Sequence, residues 1–226
     1  AAEREDLPEP VQDYLDQVTH FNPNGEARVY PGSPVLMAQL LRHEARDRLK
    51  LFELHPTDIQ ALAGNMAQLE LGRAVQVSRE DGFESLKKLL PPPASASGSK
   101  RAMVLMDPSY EIKSDYAKVA NVIADCLKRF PTGTYLVWYP IIPRPEAHEL
   151  PRRLRTLANQ AKRSWVHATL AIGKGEEGDT GLSASGMFVI NPPFTLAEQL
   201  RAALAVVGPA LARGNGKGWQ VEAGGA

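Results

Sequence analysis

From Leu49 onward, short apolar runs alternate with segments of helical period, and that alternation leaves few folds open. Residues 49–54, 74–77, 102–106, 134–139, 165–172 and 186–190 read as strands, rich in Val, Leu, Ile and aromatics. Between and after them, 57–69, 82–90, 114–130, 145–162 and 195–212 carry apolar residues at helical spacing. Strands alternating with helices predict an α/β protein: a mainly parallel sheet, covered on both faces and wound by right-handed crossovers. The last two strands are separated only by the polar stretch GKGEEGDTGLSA, 173–184, which has no helical pattern. The final strand is therefore expected to run antiparallel to its neighbour.

The front of the chain reads differently. A helix over 9–20 follows Pro8 and Pro10, and 21–34 is rich in turn residues. Ser33 then reads as an N-cap with Pro34 at the first helical position of a second helix. The expected organisation is a helical lead-in over 1–47, a core over 48–213 interrupted by a flexible PPPASASGSK segment at 91–100, and a flexible glycine-rich tail over 214–226.

The 26 basic residues balance the 26 acidic ones, so any polyanion must be gripped by a local patch rather than by a global field. The best local supply of cations is the helix at 145–162 with its flanks: Arg144, Arg152, Arg153, Arg155, Lys162 and Arg163. Cys126 is the single cysteine, which excludes an internal disulfide and a multi-cysteine zinc site. No apolar stretch approaches the roughly 20 residues that span a bilayer, and AAEREDLPEP lacks a signal-peptide core. A soluble, cytoplasmic protein without membrane contact is expected.

Chemistry gathers at the strand ends. Asp107-Pro108-Ser109-Tyr110 follows the apolar run 102–106, placing an acid, a carbonyl and an aromatic ring where open α/β sheets bind ligands. Asp107 and the Pro108 carbonyl can accept hydrogen bonds from an adenine amine, and Tyr110 offers a face for the base. Glu53 ends the strand before 57–69, where a carboxylate can accept two hydroxyl hydrogen bonds. Asp81-Gly82 follows the next strand. Two other strings are decoys. GKGEEG at 173–178 lacks the Lys-Ser/Thr and following helix of a P-loop. Asn191-Pro192-Pro193-Phe194 has the form of an amino-methyltransferase motif but follows the last strand, away from the expected cleft.

A parallel sheet ending in an antiparallel hairpin resembles the S-adenosylmethionine-dependent class I (Rossmann-like) methyltransferase fold. Beyond the fold, six stretches are closely similar to the 23S ribosomal RNA adenine-N6 methyltransferase family of J type. They are HFNPNGEARVYPGSPVLMAQLLR at 20–42, LFELHPTD at 51–58, DGFESLKKLLPP at 81–92, VLMDPSYEIKSDY at 104–116, GTYLVWYP at 133–140 and SASGMFVINPPF at 183–194. The resemblance implies S-adenosylmethionine as cofactor, held by Ser33, Glu53, Asp81, Gly82 and Asp107, and a catalytic loop of Asp107, Pro108 and Tyr110. It implies metal-free methylation of the N6 amine of one adenine in 23S ribosomal RNA, by a monomer. A DNA adenine-N6 methyltransferase and a non-catalytic RNA-binding remnant of the fold are the alternatives. Ser109 stands where the family usually carries a second proline. The family's basic front segment, first strand and glycine-rich loop are not found before Ala1, so a truncated chain is expected, a poor catalyst beside its parent.

Overall fold

The computed structural model describes residues 6–26, 28–95, 98, 100–173 and 181–225. Its contacts divide the chain into two units, Ala1–Lys88 and Leu89–Ala226, each built on its own sheet. The boundary falls inside what was expected to be one core over 48–213, because among the described residues the strands of the first unit pair with each other and not with the second sheet.

In the first unit, α1 (Glu9–His20) and α2 (Ser33–Gln39) precede β1 (Leu49–Phe52), α3 (Asp58–Ala67), β2 (Val75–Ser78) and α4 (Gly82–Leu89). Strand β1 pairs in parallel with β2, Leu49 opposite Val75 and Phe52 opposite Ser78. Ala38, Leu51 and Met66 form the buried centre, packed by Val35, Leu62, Val75 and Val77. Ser33 is not the N-cap of α2. The helix begins at Ser33, and the cap is Gly32, whose carbonyl accepts from the Val35 and Leu36 amides at 3.0 and 3.2 Å. Proline tolerates the first turn of a helix, so with Pro34 at its first turn the helix can begin one residue earlier than expected. The turn before it is organised by Asn22, which is buried. Its amide nitrogen donates to the Val18 and Val29 carbonyls, and its oxygen accepts from the Arg28 and Val29 amides. A buried polar side chain satisfied on both ends costs little and fixes the backbone around it.

In the second unit, β3 (Met103–Met106), α5 (Ser114–Arg129), β4 (Thr134–Pro140), α6 (Pro145–Gln160), β5 (Trp165–Ile172), β6 (Ala184–Ile190), α7 (Leu196–Leu211) and β7 (Lys217–Gly224) form a sheet of order β3-β4-β6-β5-β7. Strands β3 and β4 are parallel, Met103 opposite Thr134 and Met106 opposite Val137. Strand β6 runs antiparallel between β4 and β5, as the short 173–184 connection predicts. The GKGEEG string lies, apart from Gly173, outside the described residues. Helix α5 buries Tyr116, Val119, Ala120, Ile123 and Leu127, a stripe at helical spacing that faces the core. Tyr135 of β4 reaches the end of that helix, its hydroxyl donating to the Phe130 carbonyl at 2.6 Å. No helix among the described residues is long and apolar enough to cross a membrane.

The expected frayed tail is a strand. Lys217–Gly224 pairs antiparallel with β5 along its length, from Ile172 opposite Lys217 to Trp165 opposite Gly224. Glycine content suggested disorder, yet Trp219, Val221 and Ala223 alternate with Gln220 and Glu222, which is the period of a strand with two occupied faces. Trp219 packs on α7 at Gly208, where an added Cβ would meet its ring at 2.7 Å. Glu222 points to the opposite face, where Arg155 of α6 pairs with it. The guanidinium of Arg155 also stacks 4.7 Å over the Trp165 ring.

The same face carries His167, which Glu222 opposes in the ladder. Its Nε2 lies 2.8 Å from the Tyr139 hydroxyl and its Nδ1 4.0 Å from Glu222. Burial lowers the imidazole pKa; Glu222 works against that shift and Arg155 adds to it. A neutral ring then accepts the Tyr139 hydroxyl at Nε2 and directs Nδ1–H to Glu222. Because the folded pKa lies below the unfolded value, the unfolded chain binds the proton first. Stability from this group is full above about pH 6.5 and is lost as pH falls through the folded pKa. The urea midpoint is therefore expected to fall on acidification from neutrality, and His167→Gln is expected to flatten that part of the profile. Equal slopes in the two proteins would show that His167 does not carry the effect.

Candidate active site

The loop after β3 is placed by the sheet. Met106 is paired with Val137, so Asp107–Tyr110 leaves the sheet at its carboxyl edge, beside the second half of β4. Asp107 and Ser109 are exposed, Pro108 is half-buried, and Tyr110 is buried. Although Asp107 reaches solvent, crowding on its inner side raises its carboxyl pKa by desolvation. An ionised Asp107 is consequently a better base and a stronger acceptor than a free aspartate.

Tyr110 does not present the free face expected of it. Its relative exposure is 2 %, its hydroxyl donates to the Trp138 carbonyl at 2.6 Å, and its ring packs 4.7 Å from Tyr116 and 6.4 Å from Trp138. Burial, and after it the charge of Asp107, pushes the phenol pKa far above its ordinary value, so the hydroxyl stays a donor. The cause of this inward turn is backbone conformation: Tyr110 has φ +56°, in the left-handed region. Here the aromatic pins the loop to β4 rather than offering a platform for a base.

In the first unit, Glu53 stands half-buried at the carboxyl end of β1. Its Oε1 accepts from the His55 amide at 2.8 Å, which fixes the rotamer of a carboxylate suited to a pair of hydroxyls. Asp81 caps α4, with Oδ1 accepting from the Phe83 and Glu84 amides at 2.8 and 3.4 Å. The next residue, Gly82, is confined by packing, since an added Cβ would lie 3.1 Å from the Phe52 Cβ. Ser33 opens α2.

The cations of α6 do not form one patch. Successive residues of a helix are turned by about 100°, so neighbours in sequence face different partners. Arg153 donates to Asn121 of α5 at 2.6 Å, and Arg155 pairs with Glu222. Arg144 donates to the Tyr110 and Glu111 carbonyls at 3.4 and 3.3 Å. Arg163 is half-buried, with Nε lacking a hydrogen-bond partner among the described residues. Arg152 and Lys162 remain exposed. The sequence singles out Arg144 as a cation but gives no sign of the loop it touches.

The NPPF decoy lies at the opposite sheet edge. The Asn191 amide donates to the Pro131 and Gly133 carbonyls at 2.9 and 2.7 Å, and the Thr134 hydroxyl donates to the Asn191 carbonyl at 3.1 Å. These bonds hold the turn before β4, at the end of that strand remote from Asp107.

The chain is similar to known ribosomal RNA methyltransferases. It is 38% identical over 202 residues to the ribosomal RNA large subunit methyltransferase J of Escherichia coli K12, covering 89% of this chain and 67% of that protein. It is 37% identical over 218 residues to the protein of the same name in Haemophilus influenzae, covering 96% and 73% respectively. A crystal structure of a Legionella pneumophila protein superposes with a TM-score of 0.82 at 30% identity, covering 98% of this chain and 76% of that one. Residues 1–223 match the family described as Ribosomal RNA large subunit methyltransferase D, RlmJ, and the chain belongs to that family.

Proposed function

We propose that this protein transfers a methyl group from S-adenosylmethionine to the N6 amine of an adenine in 23S ribosomal RNA. The observation that carries the reading is the Asp107-Pro108 pair at the carboxyl edge of β3, held in place through Tyr110. An adenine amine is a weak nucleophile because its lone pair is delocalised into the ring. Asp107 and the Pro108 carbonyl accept its two N–H bonds and turn the lone pair out of the ring plane. Pro108 cannot donate through its own nitrogen, which removes one backbone donor that would otherwise face the amine's own N–H bonds.

The cofactor supplies an electrophilic methyl on a sulfonium. The Glu53 carboxylate fits its ribose diol, being half-buried at a strand end with its rotamer fixed. Ser33, Asp81 and Gly82 complete the first unit's share of the cofactor set by resemblance, which assigns Asp107 to the cofactor as well. With the cofactor held there, N6 would take up its methyl and become cationic as a neutral thioether leaves. Its proton passes to Asp107, whose raised pKa suits it to receive one, and then to water. Holding the amine in line supplies most of the acceleration. The base must be unpaired or extruded for its amine to reach this edge. Exposed Arg152 and Lys162 remain available to phosphates.

Incubation with labelled S-adenosylmethionine and unmodified 23S ribosomal RNA is expected to yield N6-methyladenosine after digestion to nucleosides. Label entering duplex DNA instead would favour a DNA methyltransferase. Retained RNA binding with no calorimetric response to the cofactor would favour a non-catalytic binding protein.

A further inference from the structure

A tyrosine at φ +56° is held only where several contacts over-determine it, since that region is disfavoured for a residue with a Cβ. Two such contacts lie on β4 and α5: the Tyr110 hydroxyl on the Trp138 carbonyl and its ring against Tyr116. The third comes from the β4–α6 connection. Arg144 Nη1 reaches the carbonyls of Tyr110 and Glu111, the two residues by which the loop leaves the sheet edge. Here the backbone turns, and among the described residues no helix or strand amide takes up those carbonyls.

Arg144 is built for this position. It lies between Pro143 and Pro145, and the residue before a proline is restricted to extended conformations. It adopts φ −126°, ψ 133° as the N-cap of α6, its amide donating to Ile142 at 2.7 Å and its carbonyl accepting from Ala147 at 3.2 Å. The guanidinium therefore starts from a stiff base. A second link joins the same two segments one step further on, Lys113 to Glu146 at 3.9 Å.

We propose that Arg144 is a positioning residue for methyl transfer, fixing the exit of the Asp107–Tyr110 loop through its carbonyls rather than gripping RNA phosphate. The proposal rests on the amine-methylating reading of that loop. It assigns to Arg144 a task that shows in turnover and not in RNA affinity.

The test compares Arg144→Ala with Arg152→Ala in the full chain. Hydrogen exchange, followed on the peptide spanning 107–113 without substrate, is expected to quicken on the order of tenfold in Arg144→Ala and to stay unchanged in Arg152→Ala. Against unmodified 23S ribosomal RNA, kcat of Arg144→Ala is expected to fall on the order of 10- to 100-fold with KM within about twofold. The slope of log Kd against log salt should not move. A slope reduced by about 0.7–0.9 with unchanged exchange would make Arg144 a phosphate contact and overturn the proposal. If Arg144→Ala does not fold, Arg144→Gln, which removes the charge but keeps a shorter polar stem, carries the same readouts. The exchange measurement needs no activity, so a failed methylation reading and a failed clamp are told apart.

Discussion

Asp107→Ala is expected to abolish methyl transfer while leaving S-adenosylmethionine affinity within about tenfold. In the mechanism proposed above, the side chain that is removed would accept the amine and the leaving proton, so its loss is expected to fall on the transition state. Tyr110, buried and bonded to the Trp138 carbonyl, still anchors the loop, so the change is chemical rather than structural. The pH profile provides an independent mark. With the Asp107 pKa raised by burial, the ionised acceptor accumulates at higher pH than it does for a free aspartate, and single-turnover rates should rise with pH along that limb. Asp107→Asn, which cannot titrate, should lack the limb whatever its residual rate. A fully active Asp107→Ala enzyme would remove the central residue of the mechanism.

The elements were legible because their periods are strong. Helix α5 buries a stripe at i, i+3, i+4 and i+7, and each of the six expected strands carries a short apolar run. Strand β7 escaped for the opposite reason: its glycines outweigh its alternation in composition, and the pairing that makes it a strand is with β5, some 50 residues earlier in the chain. At the site, the place of Asp107 followed from its register after a strand, and the same logic set NPPF aside. The direction of Tyr110 did not follow. Nothing in a tyrosine's identity announces a left-handed backbone, which glycine or asparagine would have hinted at. The α6 cations were visible as charges, but their partners Asn121, Glu222 and the Tyr110 carbonyl belong to distant segments, so a run of arginines dispersed into separate tasks.

Two phenylalanines six residues apart provide the largest expected stability contrast. Phe188 is fully buried on the central strand β6, its ring 5.5 Å from both Trp165 and His167. Phe188→Ala removes a stacked ring from between two neighbours that β5 holds at fixed register, so the cavity cannot collapse readily. A cost of about 3–5 kcal/mol is expected, a large part of the stability of a domain this size. Phe194, the aromatic of the NPPF decoy, is 97 % exposed. Phe194→Ala is expected to stay within about 0.5 kcal/mol and to leave methylation intact, because Asn191 and Thr134 hold that turn without the ring. Urea midpoints of the two variants measured side by side decide the matter. A destabilised or inactive Phe194→Ala would mean that the turn beyond β6 does more than close the sheet.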